Sequence, residues 1–289
     1  DHYDYDTKST ENPVNAYKLS FGIDQYYGKA DLTWYLHDEH TLDFGVSGIY
    51  YDLNPGKYLP KGDESLVVEE HMQKEKAIES AVYISDTWDI TQQLSVNAGI
   101  RYSLFNAMGP RTYNQYQNEY LPSLTTITDT ISKGSGTFKT YHGPEFRISA
   151  RYEFLNDFSI KLGYNTMRQN IHKISNTTIM SPTDTWKLSD VNIKPQTGSQ
   201  IALGLYKNFA NNTIESSIEG YYKMMDDYLD YRNGAELLMN PHIETDLLNT
   251  EGRAYGVEFL IKKTQGKLNG WLSYTYSRTE LRQHDKRIA

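Results

Sequence analysis

The chain has 289 residues, a formal net charge of −8 and no cysteine. That length suits one large all-β domain or two small ones, and the acidic balance argues against nucleic acid as a partner. The missing thiols exclude a disulfide framework and a thiolate metal site, and no apolar run reaches the roughly 18 residues that a spanning helix needs.

In chain order, about eleven strands are predicted: 14–26, 29–38, 40–52, 71–89, 92–106, 143–154, 157–168, 196–209, 213–229, 252–265 and 267–280. Asp1, Asp4 and Asp6 open the chain with carboxylates spaced as in a calcium loop. The Gly and the closing Glu of such a loop are missing, so the stretch reads as a frayed acidic terminus. Nothing at Asp1 resembles a signal peptide, which is expected of a mature chain or an excised fragment. Tyr27-Gly28 reads as a first tight turn. His37-Asp38-Glu39-His40 is a second; its histidines form at most half a metal site and are ordinary in a charged turn.

The strand at 94–104 alternates cleanly. Leu94, Val96, Ala98, Ile100, Tyr102 and Leu104 oppose Ser95, Asn97, Gly99, Arg101 and Ser103. Lys133-Gly-Ser-Gly136 follows no strand-to-helix context, so it is no phosphate cradle. The run 146–166 is two combs joined by Leu155-Asn156-Asp157, a hairpin signature. Phe146, Ile148, Ala150, Tyr152 and Phe154 alternate with Arg147, Ser149, Arg151 and Glu153. Ile160, Leu162 and Tyr164 then alternate with Lys161 and Gly163. The same period recurs around Glu215 and Glu219 and around Glu258.

Alternation alone leaves two readings open, a soluble sandwich or a membrane barrel. A mean hydropathy of −0.67 does not separate them, because barrels span with alternating segments. The connections do. Short ones at 37–40, 89–92, 155–157, 210–212 and 264–267 alternate with long ones at about 53–70, 107–142, 169–195 and 230–251. In a meander this places tight turns on one rim and long loops on the other, as in outer-membrane barrels and unlike a Greek-key sandwich. Many segments run 11 to 17 residues, against about 5–6 for soluble strands and about 9–11 for a tilted membrane strand. Tyrosine is abundant, with 25 against 9 Phe and 4 Trp. Its amphipathic ring suits membrane interfaces, carbohydrate sites and paratope-like surfaces alike. The non-lipid face carries Arg101, Arg147, Arg151, Glu153, Lys161, Glu215, Glu219 and Glu258, which suits a wide watery or plugged lumen.

The stretches DTWDITQQLSVNAGIRYSLF (86–105), NIHKISNTTIMSPTDTWKLSDVNIKPQTGSQIALGLYKNF (170–209) and AYGVEFLIKKTQGKLNGWLSYTYSRT (254–279) carry a family likeness. The chain resembles the barrel of TonB-dependent outer-membrane receptors, of the Bacteroidetes type. The likeness covers about 72–280 and is strongest in the Pro-Gln-Thr-Gly-Ser-Gln and Ala-Tyr-Gly-Val-Glu strand starts. It implies an antiparallel up-and-down transmembrane β-barrel with long extracellular loops, short periplasmic turns and 22 strands in all around an N-terminal plug. About eleven strands, with no plug and no TonB box, make residues 1–289 a partial barrel domain, a middle-to-late slice of a longer receptor.

The resemblance implies active import of a scarce ligand across the bacterial outer membrane, with no enzymatic activity and no cofactor. The ligand classes are a chelated metal, cobalamin, an oligosaccharide or a peptide. Implied partners are outer-membrane lipid, the TonB complex through the plug region and, as an additional candidate, a surface lipoprotein. The alternatives are a passive porin or adhesin barrel and a soluble all-β carbohydrate-binding domain. No Ser/His/Asp arrangement or metal site is assigned. Ligand-contact candidates sit in the long loops: Arg111, Tyr113, Tyr116 and Tyr120, then Trp186 with Asp184 and His172, then Tyr231 and Arg232 beside Tyr228. Rigid rings next to amide donors suit sugar or peptide recognition, and packing of the loops on themselves is the competing reading.

Overall fold

The computed structural model describes residues 2–118, 121–155, 157–175 and 185–283. The strands are β1 (His2–Ser9), β2 (Tyr17–His37), β3 (His40–Pro60), β4 (Glu70–His71), β5 (Glu75–Asp89), β6 (Leu94–Tyr116) and β7 (Ile127–Leu155), followed by β8 (Phe158–Gln169), β9 (Ile171–Ile174), β10 (Thr185–Leu188), β11 (Gln196–Phe209), β12 (Ile214–Tyr231), β13 (Leu247–Lys263) and β14 (Gly270–Gln283). Eleven of them pair in the order β1-β2-β3-β5-β6-β7-β8-β11-β12-β13-β14, with β4 beside β3. Each path pairing is antiparallel. This meander is the wall of an up-and-down barrel, and β9 and β10 form a separate two-stranded ribbon.

Three expectations are corrected. Tyr27-Gly28 is not a turn: β2 runs through it, with Tyr27 opposite Ile49 and Gly28 opposite Gly48. Alternation continues across that point, with Tyr26, Ala30, Leu32 and Trp34 on one face, so pairing outweighs the local turn signal. The acidic start is not frayed, because β1 pairs along β2 with Asp6 opposite Ser20, and Asp6 meets Lys18 at 3.1 Å. Asp1 lies outside the described residues. Parts of two long connections are also strand. β3 continues to Pro60, while β6 and β7 form a ribbon in which Arg111 faces Lys133 and Tyr116 faces Ile127. Cross-strand bonding carries these polar segments although they have no apolar period. With those changes every connection fits the two-rim sorting, the one at 10–16 joining the long-loop rim.

Register assigns the two faces. Tyr102 lies opposite Val82, Val82 opposite Val46, and Val46 opposite Ala30. This row is on the outward, apolar face, where Val82 is 57% exposed. One residue along, Arg101, Tyr83 and Gly45 lie side by side on the other face. A Cβ on Gly45 would lie 2.4 Å from the Tyr83 hydroxyl, so only glycine admits this ring. Lys29 and Arg101 flank the ring at 5.5 and 5.8 Å, within cation–π range.

The packed core is also on this inner face, toward the long-loop rim. Ile23, Tyr51, Leu53, Ala77, Phe105 and Ala107 from four neighbouring strands meet Leu188 of β10. Leu53 and Phe105 are each 1% exposed. A second cluster joins Ile174 and Ile193 to Leu237, Ile243 and Leu247. The segment around β9 and β10 therefore folds inward and is covered from two sides.

Candidate functional site

A cavity of about 320 Å³ lies where the inward ribbon meets the long-loop rim. Its walls come from the end of β3, the segment around β4, the start of β5, the outer part of β6, the stretch 185–192 and the connection 237–244. Tyr113 and Trp186 supply rings, Met72 and Met239 supply thioethers, and Gln73, Asn114, Asn192 and Asn240 supply amides. Tyr113 stacks on Phe138 with centroids 5.8 Å apart, which fixes its plane. Asn114 is held from three sides. It accepts from Thr130 Oγ1 at 2.8 Å, takes Asn192 Nδ2 on its carbonyl at 3.1 Å, and meets His242 Nδ1 at 3.2 Å.

Three buried charges, Glu75, Lys187 and Asp190, cluster with the partly buried Arg111 at the cavity. Lys187 Nζ lies 2.5 Å from Glu75 Oε1 and 2.6 Å from Asp190 Oδ2. Arg111 Nη2 lies 3.2 Å from Glu75 and 3.8 Å from Asp190. Glu75 Oε2 also accepts the Leu188 amide at 2.8 Å, and Asp190 Oδ1 accepts the amides of Asn192 and Ile193. Burial raises the Asp190 carboxyl, but Lys187 and Arg111 outweigh it and hold the group below its ordinary value. Two cations and two carboxylates leave the cluster neutral, the condition under which buried charges are tolerated.

Behind it, buried His172 Nε2 lies 3.0 Å from Ser189 Oγ. Burial first, and Lys187 second, push its pKa down to about 4. At neutral pH this histidine is uncharged, and its burial removes it from the ligand-contact candidates named with Trp186. Tyr116 donates to Glu244 Oε1 at 2.7 Å, and burial together with that carboxylate raises its phenol above the ordinary value.

Of the ligand-contact candidates, Arg111, Tyr113 and Trp186 meet at this cavity. Tyr116 sits behind the wall and braces Glu244. Tyr231 packs, half-buried, on the second apolar cluster. Arg232 Nη2 donates to the Pro122 carbonyl at 3.5 Å, tying two long-rim connections together. Tyr120 and Asp184 lie outside the described residues. Reading by residue type missed Glu75, Lys187 and Asp190. Each is an ordinary charge in a polar stretch, and Glu75 meets Lys187 across 112 positions. The eight charges expected on the non-lipid face share one face by register. Arg101 neighbours Glu145, Arg151 neighbours Lys161, Arg147 and Glu153 alternate with outward Ile148 and Tyr152, Glu219 lies between Gly204 and Glu258, and Glu215 faces Lys262.

The family model for the TonB-dependent receptor-like β-barrel matches residues 1–288. The chain belongs to that family. TonB-dependent receptor barrels reside in the outer membrane of Gram-negative bacteria, and the exposed apolar face of this one is its lipid face. Among solved structures, the copper transporter OprC superposes with a TM-score of 0.65 at 13% identity, over 98% of this chain and 42% of that one. The ferripyoverdine receptor of the Pseudomonas aeruginosa outer membrane superposes at 0.58 with 14% identity, over 97% of this chain and 37% of that one. The RagAB peptide importer superposes at 0.52 with 13% identity, over 93% and 31%. These likenesses establish a shared barrel fold, and this TonB-dependent receptor barrel chain spans less than half the length of each. No curated protein sequence matches it. Membership in the family disfavours the soluble-domain alternative.

Proposed function

We propose that the chain is the barrel segment of a TonB-dependent active transporter. It binds a scarce ligand at the outer rim and passes it inward, with energy delivered through a plug region to which the TonB complex couples. The observation that carries this reading is the cavity at the long-loop rim, walled by a segment that folds onto the inner face of the barrel. Arg111, Tyr113 and Trp186 are its ligand-contact residues. Tyr116, Tyr231 and Arg232 hold the surrounding connections in place. Arg101, Arg147, Arg151, Glu153, Lys161, Glu215, Glu219 and Glu258 face the lumen. The segment carries out no covalent chemistry, and a surface lipoprotein is a candidate partner above the rim.

Uptake by cells producing the complete receptor tests this reading, with labelled ferric chelate, cobalamin, oligosaccharide and peptide as probes. The expected result is accumulation of one probe that a protonophore abolishes and that Arg111→Ala with Trp186→Ala reduces at least tenfold. Steady ion conductance of the purified protein in planar bilayers, with no energy-dependent uptake of any probe, would instead identify a passive pore.

A further inference from the structure

The four-charge cluster has a particular division. Glu75 and Arg111 belong to the barrel wall, on β5 and β6, and lie 3.2 Å apart. Lys187 and Asp190 belong to the inward ribbon and the turn after it, and lie 2.6 Å apart. The ionic contacts across the boundary are Lys187 to Glu75 at 2.5 Å and Arg111 to Asp190 at 3.8 Å, and Glu75 also accepts the Leu188 amide at 2.8 Å. Cut along that boundary, the cluster separates into two ion pairs, each neutral by itself. Removing one partner of a buried ion pair is costly because it leaves a bare charge, and this cut leaves none.

We propose that the segment around β9 and β10, residues 170–175 with 185–193, is a releasable strap over the inner face. In the closed state it is held by Leu188 in one apolar cluster and by Ile174 and Ile193 in the other. Two neutral hydrogen bonds add to these, from Asn192 to the Asn114 carbonyl and from Thr185 to the Leu237 carbonyl, with one from Asn170 to the Glu79 carboxylate. On release Lys187 leaves with Asp190, and Arg111 stays with Glu75. The like-charge proximities of Lys187 to Arg111 and of Glu75 to Asp190 are relieved, which offsets part of the attraction lost across the boundary. Trp186, Lys187, Asp190 and Asn192 all line the cavity, so release removes one of its walls. Its use as a passage to the lumen rests on the transport reading; release itself does not.

The chain has no cysteine, so one introduced thiol reports cleanly. Ser189 is fully buried on the strap, and Ser189→Cys is a small change. In the detergent-solubilised protein, maleimide labelling of that thiol is expected to run at least tenfold faster than global unfolding of the barrel. Exchanging two charges, Glu75→Lys with Lys187→Glu, keeps the buried total at zero but makes the wall +2 and the strap −2. Release then has to separate those charges, and labelling is expected to slow at least tenfold relative to the parent. Should that variant fail to fold, Lys187→Gln with Asp190→Asn leaves the strap uncharged, and labelling as fast as the parent or faster is expected. Labelling no faster than global unfolding, an exchanged variant that labels like the parent, or an uncharged strap that labels tenfold slower would each overturn the proposal. Labelling reads strap release alone, whereas energy-dependent uptake reads transport, so the two can fail separately.

Discussion

At the residue scale, the buried charges and the neutral histidine make the sharpest predictions. Lys187→Met deletes the cation shared by both carboxylates and leaves Glu75 and Asp190 to Arg111 alone. Stranding a buried charge in this way costs about 3–5 kcal/mol. Hydrogen exchange at the Leu188 and Ser189 amides is expected to accelerate accordingly, and exchange unchanged from the parent would contradict the assignment. His172 gives a pH dependence of definite sign. Its folded pKa is about 4 against 6.5 unfolded, so between those values the unfolded state binds more protons. Stability of the strap is complete above about pH 6.5 and falls by about 3 kcal/mol as pH drops to 4. Asp190 has its pKa lowered in the folded state, so its contribution is lost only further down, as pH falls below its ordinary value of 3.8. Replacing His172 with Gln should flatten the profile between pH 6.5 and 4, as read by exchange at the same amides. None of this was visible in the sequence, where His172 stood only as a ligand-contact candidate beside Trp186.

At the scale of elements, each strand has one lipid face and one inner face, and the two respond differently to charge. Val82 on β5 lies on the outward face, between Val46 and Tyr102. Val82→Arg is expected to cost about 2–4 kcal/mol, the range for a cation on the lipid face at the bilayer midplane. Thr275 on β14 faces inward, opposite Glu258, and Thr275→Lys is expected to change stability by less than about 0.5 kcal/mol. Denaturant titration of both variants in lipid vesicles distinguishes the faces, and a larger loss for Thr275→Lys than for Val82→Arg would mean that the two faces have been assigned the wrong way round. Within β3, Gly45→Val would collide with the Tyr83 ring and with the Ala30 carbonyl. An overpacking loss of about 1–3 kcal/mol is expected in the same titration. The strands at 94–104 and 146–166 were readable because period-2 alternation reports a two-faced surface directly. The outer ends of β3, β6 and β7 were not, because above the membrane neither face has to be apolar and only the pairing partner reveals the strand.

For the molecule as a whole, the outward apolar band fixes the solvent. Trp34, Val46, Val82, Ile148, Leu203 and Ile261 each remain about half exposed on the isolated wall. A contiguous apolar surface on this scale is a membrane face or an aggregation surface. Withdrawal of detergent is expected to precipitate the protein, as judged by sedimentation, and a folded monomer in plain buffer would sink the membrane reading. Eleven strands of the meander, with their inner face polar toward the turn rim and packed toward the loop rim, make a wall whose two ends differ in kind. The outer end carries the cavity and the strap. The inner face below them holds the charges around Arg151, Glu153 and Lys161.

The sequence by itself determined the antiparallel meander, the sorting of short and long connections onto opposite rims and the identity of the lipid face. Each depends on local period and spacing, which adjacent residues record. It also singled out Arg111, Tyr113 and Trp186, because aromatic and cationic residues stand out in polar loops. Only the tertiary structure brought those three to one cavity, carried β2 through Tyr27-Gly28 and joined Glu75 to Lys187. Those outcomes depend on which distant segments face each other once the wall has formed and the segment after β8 has turned inward. A salt bridge across 112 positions leaves no periodic trace in the chain that makes it.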